Sequence, residues 1–358
     1  MAGQRRVACS DLFGQQSHPA SWAGIDRSPY VVPARDVGTT VSFVVTEGQS
    51  VISMFDDAES ARLLAALGTR YSSGFLDTDE GRRIARAEIH ERQYWFRERY
   101  VPWIQTVLPL AGARVLEVGS GNGSTSVCLA EPGARVDSVD MEDDGIVVAI
   151  QRAEIMGLRD RVRFHQANAT EIAELFRTAQ FDLIIYPASV EHMTFVERMA
   201  TLSSAWSMLE PGGVLSIIDT PNRLWYFDDH TSFDNFFHWL PDDVALAYAR
   251  YSTRPGLAAD LEGPNGKEQL ARLGRGVSYH DLMIAFGEDP TPFYASGEWD
   301  YRRELDPDWA TWWSETDDGK YYALLRAICP QLPSGFLEPE LAVCLRKPVD
   351  TVAPPNPR

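Results

Sequence analysis

The chain has 358 residues, 44% of them hydrophobic, which is enough material for a full hydrophobic core. Its formal net charge is −18 and it contains no dense run of Lys or Arg, which argues against a nucleic-acid partner, because phosphate groups require a basic surface. No segment resembles a signal peptide or a membrane span, so we expect a soluble, cytoplasmic protein without a membrane partner. The cysteines form no CxxC pair, which excludes a cysteine-type zinc site and favours reduced thiols: Cys9, Cys128, Cys329 and Cys344.

The N-terminal part of the chain predicts an arm followed by an extension. Residues 1–35 are rich in Ser, Gly, Gln and Pro and indicate a flexible arm. Residues 36–110 predict a mainly helical extension, although residues 39–55 have a β-leaning composition without a firm assignment. The predicted helices cover Asp57–Leu67, Asp79–Arg99 and Tyr100–Leu110, with Pro102 in the first turn of the third.

From residue 111 onward, short apolar strands alternate with helices. The predicted strands are Arg114–Val118, Ala134–Val139, Val162–Ala167, Phe181–Tyr186, Val214–Ile218 and Leu341–Arg346. This alternation predicts an α/β fold with a doubly wound, mostly parallel, Rossmann-like sheet. We expect its core at residues 111–220, a substrate-covering insertion at 221–290, the remainder of the core at 291–348 and a disordered tail at 349–358.

A glycine-rich loop follows the first strand of this core. It runs from Gly119 to Gly123 directly after Glu117-Val118, at the strand end where open α/β sheets bind ligands. Glu117 would repel a pyrophosphate but suits a cofactor that carries an ammonium and a sulfonium. Asp140 ends the second strand, where an acidic side chain can bind both hydroxyls of a ribose.

The motifs around this loop resemble those of the class I S-adenosylmethionine (SAM)-dependent methyltransferases, in particular the small-molecule and quinone-methylase-like group. The resemblance covers about residues 114–219 and rests on V-L-E-V-G-S-G-N-G, V-D-M, F-D-L-I-I-Y and L-E-P-G-G-V-L. It implies SAM as the cofactor. The implied cofactor-binding residues are Glu117, Gly119, Ser120, Gly121 and Asn122 at the loop, Asp140 on the ribose, Met141 on the adenine, Asn168 and Ala169 at the adenine edge, and Tyr186 near the reacting centre. Where Asn168 stands, the family often has an aspartate.

Candidate catalytic residues follow the fourth and fifth strands. Methyl transfer to oxygen or carbon needs a base, and His192 is our first choice, with His230, His238 and Tyr186 as further candidates. Each histidine has an alternative role in helix capping or packing. The histidines together with Asp228 or Asp229 offer ligands for a metal, but their spacing matches no helical ligand pair, so we predict no metal site.

The insertion is unusually aromatic and contributes the candidate substrate-binding residues. These are Arg223, Trp225, Tyr226, Phe233 and Phe237. The aromatic rings either form a wall for a flat substrate or dock the insertion on the sheet, and Arg223 pairs either with an acidic substrate group or within the protein.

These observations together predict a SAM-dependent methyltransferase that acts on a small molecule, with oxygen as the first acceptor atom and carbon or nitrogen as alternatives. We expect a role in secondary metabolism and allow for a homodimer. Two other functions stay open: a nicotinamide-dependent oxidoreductase, although Ser124 replaces the third glycine of its motif, and a non-catalytic SAM-binding regulatory protein.

Overall fold

The computed structural model describes residues 42–46 and 49–349. The predicted arm at 1–35, and the tail apart from its first residue, lie outside the described residues. No helix in the described ranges is long and apolar enough to cross a bilayer.

The N-terminal extension consists of a β-hairpin and a set of helices. Strands β1 (Ser42–Thr46) and β2 (Gln49–Ser53) pair antiparallel, so the β-leaning composition of this region corresponds to real strands. Helix α1 (Asp57–Leu67) has the predicted bounds, and Asp56 caps it in a capping box with Glu59.

A single long helix replaces the two helices predicted between residues 79 and 110. It runs without interruption through α2 (Asp79–Arg86), a π-helical segment (Ala87–Glu91), α3 (Arg92–Trp95), a second π-helical segment (Phe96–Tyr100) and α4 (Val101–Val107). Pro102 lies inside it, directly after the second π segment. A proline ring clashes with the carbonyl one turn earlier in a regular α-helix, and the wider π turn gives it room.

The core is a seven-stranded sheet with the order β5-β4-β3-β6-β7-β9-β8. Its strands are β3 (Arg114–Val118), β4 (Arg135–Asp140), β5 (Val162–Gln166), β6 (Phe181–Pro187), β7 (Leu209–Pro221), β8 (Tyr294–Gly297) and β9 (Glu340–Arg346). Strands β3 to β7 are parallel, whereas β9 is antiparallel to both β7 and β8. This is the predicted doubly wound α/β fold, with an antiparallel edge that includes β8, a strand absent from the prediction.

Helices cover both faces of the sheet. In chain order they are α5 (Ser124–Ala130), α6 (Asp143–Ile155), α7 (Ile172–Phe176), α8 (Phe195–Met208), α9 (Asp242–Tyr248), α10 (Leu257–Asp260), α11 (Gly266–Arg272), α12 (Tyr279–Phe286), α13 (Glu298–Leu305), α14 (Pro307–Glu315) and α15 (Asp317–Ile328). On one face, the fully buried Trp103 and Ile104 of the long helix pack against β3. On the other, Trp206 of α8 stacks on Phe286 of α12 with ring centroids 4.4 Å apart.

The insertion has a small hydrophobic core of its own around Phe237, Ala245 and Leu270. It is anchored to the sheet by the buried Asn222, whose amide donates to the carbonyls of Phe336 (2.9 Å) and Glu338 (2.7 Å). The insertion therefore stands over the carboxyl ends of β6 and β7 as a folded unit.

Candidate active site at the carboxyl ends of the strands

The glycine-rich loop lies where the strand order reverses, because β3 has β4 on one side and β6 on the other. Gly119, Gly121 and Gly123 have φ values of +94°, +49° and +76°, which side chains other than glycine rarely adopt. The amides of Gly119 (2.8 Å) and Ser120 (3.2 Å) both donate to the carbonyl of Val139 at the end of β4. A Cβ atom on Gly119 would lie 2.5 Å from Cβ of Ser189, so only glycine fits there.

Asp140 is tied directly to this loop. Its Oδ2 accepts from the amide of Gly121 (2.7 Å) and its Oδ1 from that of Glu142 (2.9 Å), which fixes the half-buried carboxylate at the end of β4. Met141, the next residue, is 64% exposed although it is a large apolar side chain. An acidic group beside an exposed apolar group is the arrangement that a nucleoside needs.

Glu117 lies beneath the loop and is fully buried. Its Oε2 accepts from the hydroxyls of Ser126 and Ser138 (2.7 Å for Ser138), whereas its Oε1 has no hydrogen-bond partner. Burial raises the pKa of Glu117 to about 7, and the bonds from the two serines oppose this only partly. The hydroxyl of Ser120, also buried, likewise has no partner. The Glu117 carboxylate and the Ser120 hydroxyl can therefore each form a further hydrogen bond.

Asn122 joins the glycine loop to the long helix, and its predicted contact with a cofactor stays a prediction. Its buried side chain donates to the carbonyl of Glu88 in the first π segment (2.8 Å), and its own carbonyl accepts from the fully buried Arg152 (3.0 Å). Arg152 also donates to the carbonyls of Ile89 (2.9 Å) and Glu88 (2.8 Å). Asn122 and Arg152 thus join the loop to the long helix.

Asn168 and Ala169 lie at the end of β5, in the turn that begins the next helix. The Oδ1 atom of Asn168 accepts from the amide (2.9 Å) and the hydroxyl (2.8 Å) of Thr170, so the side chain caps this turn. Both residues are half-buried.

The side chain of Tyr186 lies in the core, and its predicted position near the reacting centre stays a prediction. Its side chain is fully buried and its hydroxyl bonds to the carbonyl (3.1 Å) and hydroxyl (2.8 Å) of Thr201 in α8. Burial raises the pKa of Tyr186 well above its ordinary value. The side chain is thus directed beneath α8, and its hydroxyl is unsuited to act as a base.

His192 and His230 lie together beside the end of β6. Their ring centroids are 5.1 Å apart, and each Nδ1 contacts a backbone carbonyl: Arg272 for His192 (2.9 Å) and Leu273 for His230 (3.0 Å). Burial lowers the pKa of His230. The neighbouring Glu191 is fully buried, and its Oε2 accepts from the hydroxyl of Thr220 (3.1 Å).

His238 is not part of this group, and its predicted catalytic role stays a prediction. It is 2% exposed, its Nε2 lies 3.2 Å from Oδ1 of the fully buried Asp228, and its Nδ1 accepts from the amide of Gly276 (3.4 Å). Asp228 also accepts from the amides of His230, Thr231 and Ser232, so the pair organises the loop of the insertion.

Two of the four aromatic candidates, Trp225 and Tyr226, dock the insertion on α15. Trp225 is buried against Tyr321 of α15 with ring centroids 5.1 Å apart, and the Tyr226 hydroxyl donates to Asp318 (2.9 Å). Phe237 is fully buried in the core of the insertion. The burial of Trp225 and Phe237 agrees with the alternative role in packing, and their predicted contact with a substrate stays a prediction. Phe233, at 41% exposure, remains accessible.

Arg223 differs from the other half-buried arginines. Its guanidinium has no oppositely charged partner and no hydrogen bond within the described part of the chain. It lies instead within electrostatic range of another cation, Arg275. A half-buried guanidinium that lacks a counter-ion and lies near a second cation favours an anionic ligand.

Residues that the sequence did not indicate also reach this end of the sheet. The Tyr100 hydroxyl, from the long helix, bonds to Asp219, whose φ of +53° is unusual for a residue other than glycine. The Ser189 hydroxyl donates to the carbonyl of Val118 (2.7 Å) and so places the 189–192 segment beside the glycine loop. Strained backbone often occurs at functional sites, but no local sequence signal marks these pairs.

Known proteins match the part of the chain that carries the glycine loop. Residues 110–244 match the sequence model of a family described as "Methyltransferase domain". The tRNA 5-carboxymethoxyuridine methyltransferase of Escherichia coli is 36% identical over 105 residues, 29% of this chain and 39% of that protein. The ubiquinone biosynthesis O-methyltransferase of Rhizobium etli is 34% identical over 135 residues, 37% of this chain and 52% of that protein. The chain therefore spans about half or less of these relatives.

Solved structures with matching segments include the magnesium protoporphyrin IX methyltransferase of Synechocystis with bound S-adenosylhomocysteine, at 21% identity and a TM-score of 0.34 over 47% of this chain and 69% of that chain. A SAM-bound amino pentose methyltransferase from Micromonospora echinaspora is 22% identical, with a TM-score of 0.30 over 39% of this chain and 52% of that chain.

Proposed function

We propose that this protein is a class I SAM-dependent methyltransferase, because residues 110–244 match a methyltransferase-domain family. We propose further that it transfers the methyl group of its cofactor, S-adenosylmethionine, to an oxygen of a small-molecule acceptor. The observation that carries the proposal is the positive-φ glycine loop at the strand-order reversal, with Asp140 bonded to it. The nicotinamide-dependent alternative has no support from the family match.

The proposed cofactor site follows the contacts of the loop. Gly119, Ser120 and Gly121 hold the methionine part, and the unpartnered oxygens of Glu117 and Ser120 supply acceptors for its ammonium. Asp140 binds the ribose hydroxyls, and the exposed side chain of Met141 packs on the adenine. The amide of Asn168 and the backbone of Ala169 bound the adenine edge.

We assign acceptor binding to the ends of β6 and β7. The 189–192 segment contacts the glycine loop through Ser189, so Glu191, His192 and His230 lie on the side of the loop where a methyl acceptor would approach. The acceptor oxygen loses its proton at this group, with His192 as the predicted base. The unpaired Arg223 favours an acceptor with a carboxylate or another anionic group.

A small molecule is a better acceptor than RNA for this chain. The net charge of −18 opposes the approach of a polyanion, although one of the relatives is a tRNA methyltransferase. A role in secondary metabolism and a homodimeric state both stay predictions.

The proposal is tested by following a labelled methyl group. Purified protein is incubated with methyl-labelled SAM and either the low-molecular-weight fraction or the tRNA fraction of the source organism. We expect label in an extractable small molecule, and loss of labelling with His192→Ala. Label in tRNA alone, or in neither fraction, would refute the proposed acceptor class.

A further inference from the structure

Three potential metal ligands converge beside the glycine loop. Glu191, His192 and His230 each offer one ligand atom, and these atoms lie within 4.8 Å of one another. Glu191 and His192 come from the turn after β6, whereas His230 comes from the insertion. The cluster therefore forms only when the insertion folds over the sheet.

The hydrogen bonds of the two histidines fix which nitrogen is free. A carbonyl oxygen only accepts, so the Nδ1 atoms that contact the carbonyls of Arg272 (2.9 Å) and Leu273 (3.0 Å) carry the protons. In the neutral rings each Nε2 then has a lone pair. Metal-binding histidines are typically held in this way, with the other ring nitrogen donating to a backbone carbonyl.

Glu191 adds a buried oxygen without a partner. Its Oε2 is bonded to Thr220, whereas Oε1 has no hydrogen bond and lies 3.7 Å from Nε2 of His192. This separation is too long for a hydrogen bond, and an unprotonated Nε2 has no proton to donate. A buried carboxylate oxygen left in this state is costly, and a cation between it and the imidazole nitrogens would relieve the cost.

The backbone at Gly274 packs closely against both imidazole rings. It has a φ of +100°, and a Cβ atom there would lie 2.4 Å from the ring of His230 and 3.3 Å from that of His192. The chain thus bends closely around both rings, directly after the residues whose carbonyls orient them.

We propose that Glu191, His192 and His230 bind one divalent transition-metal cation of the manganese, iron, cobalt or zinc class. Two imidazoles and one carboxylate suit these cations better than magnesium or calcium, which prefer oxygen ligands. Three protein ligands leave coordination positions open on the half-exposed side of His192. Sequence spacing predicted no metal site because the ligands belong to a short turn and a separate loop rather than to one helix.

The role of the cation rests on the proposed function. A cation-bound acceptor hydroxyl releases its proton to solvent more readily, because the positive charge stabilises the oxyanion. The oxygen then forms a bond to the methyl carbon as the carbon–sulfur bond breaks, and the sulfonium becomes a neutral thioether. In this scheme His192 acts as a ligand, and the cation replaces it as the group that promotes deprotonation.

The test measures cation binding directly. Full-length protein is treated with chelator, dialysed and titrated with manganese(II) and cobalt(II) chloride by calorimetry, and the visible spectrum of the cobalt complex is recorded. We expect one site per chain, cobalt bands typical of mixed nitrogen and oxygen ligands, and at least about a tenfold loss of affinity in His230→Gln and Glu191→Gln. His165→Ala, on β5, is the matched control and should bind as the wild type does.

Circular dichroism checks that each variant folds. If a variant fails to fold, the titration of the wild type alone tests whether the chain has a cation site. Absence of a stoichiometric site in the wild type would overturn the inference, as would unchanged affinity in both folded ligand variants. SAM binding, measured separately on the same samples, tests the proposed function independently: cation binding without SAM binding would contradict the methyltransferase and leave the metal site intact.

Discussion

At the scale of single residues, the chemistry of this site depends on which polar atoms lack partners. Glu117, Ser120 and Glu191 each have a buried oxygen without a hydrogen bond. By contrast, the polar side chains of Asn122, Tyr186 and His238 all have partners within the protein. Sequence patterns alone could not distinguish these two sets, because the hydrogen-bond partners come from distant segments.

Glu117→Gln tests the buried carboxylate. Burial raises the pKa of Glu117 from 4.5 to about 7, so the folded state binds this proton more tightly than the unfolded state. The wild type therefore loses stability from this group as the pH rises from about 4.5 through about 7, by at most about 3 kcal/mol. Denaturant unfolding at pH 5 and pH 8 should show the glutamine variant gaining stability relative to the wild type at the higher pH.

The same variant tests the proposed contact with the ammonium of SAM. A carboxylate attracts this group and an amide does not, so we expect weaker SAM binding in Glu117→Gln. Wild-type affinity should rise as the pH passes about 7. If the difference in stability between the two proteins does not change with pH, the raised pKa of buried Glu117 is contradicted. If both proteins bind SAM equally well, the contact between Glu117 and the ammonium is contradicted.

Tyr186→Phe tests the predicted catalytic role of Tyr186. The hydroxyl bonds only to Thr201 among the described residues, so its removal should cost about 1 kcal/mol of unfolding free energy and leave methyl transfer within about twofold of wild type. Thermal unfolding and initial rates on the same preparation provide the check. A tenfold drop in rate with intact folding would return Tyr186 to the active site.

At the scale of elements, the glycine loop is held by three neighbours. The carbonyl of Val139 on β4 binds two of its amides, Ser189 after β6 packs against Gly119, and Asn122 joins it to the long helix. The sequence predicted the loop and the strands on either side, because both depend on local periodicity and on glycine. It did not predict the unbroken helix through Pro102, because the π segments that accommodate proline leave no local signature.

Gly119→Ala should disrupt this arrangement, and Gly112→Ala provides a matched control. Both glycines have positive φ, +94° and +80°, but only Gly119 has a side chain within 4 Å of a built Cβ. Both variants should lose about 1 kcal/mol from backbone strain, and Gly119→Ala should in addition weaken SAM binding by at least about tenfold. Calorimetric titration and denaturant unfolding separate the two effects. Equal SAM affinity in the two variants would show that close packing at Gly119 does not shape the site.

At the scale of the whole molecule, the extension and the insertion both pack on the seven-stranded sheet domain. The long helix contributes Trp103 and Ile104 to the main core, and Tyr100 reaches Asp219 at the end of β7. The insertion supplies His230 to the proposed acceptor site. The sequence predicted the succession of strands and helices along the core, apart from β8. It predicted a substrate-covering insertion at 221–290 but not the secondary structure of this insertion, because short irregular helices have little periodicity.

Deletion of residues 1–110 should therefore prevent folding. The deletion removes fully buried aromatic and aliphatic side chains, and truncation of a single buried tryptophan already costs about 3–5 kcal/mol. Near-ultraviolet circular dichroism and thermal melting of the truncated chain should show no cooperative transition, whereas Trp103→Ala in the full chain should melt at a lower temperature. A cooperative melt of the truncated chain near the wild-type temperature would show that the core is complete without the extension.

The central claim is tested most directly by calorimetric titration of the purified protein with SAM and, separately, with NADH. The titrations are repeated on Asp140→Asn and on Asp144→Asn, a change of an exposed acid in the first turn of α6 that serves as control. We predict stoichiometric SAM binding in the wild type and the control, a marked loss in Asp140→Asn, and no NADH binding. Binding of NADH instead of SAM, or SAM binding that is unaffected by Asp140→Asn, would contradict the assignment of the glycine loop as the SAM site.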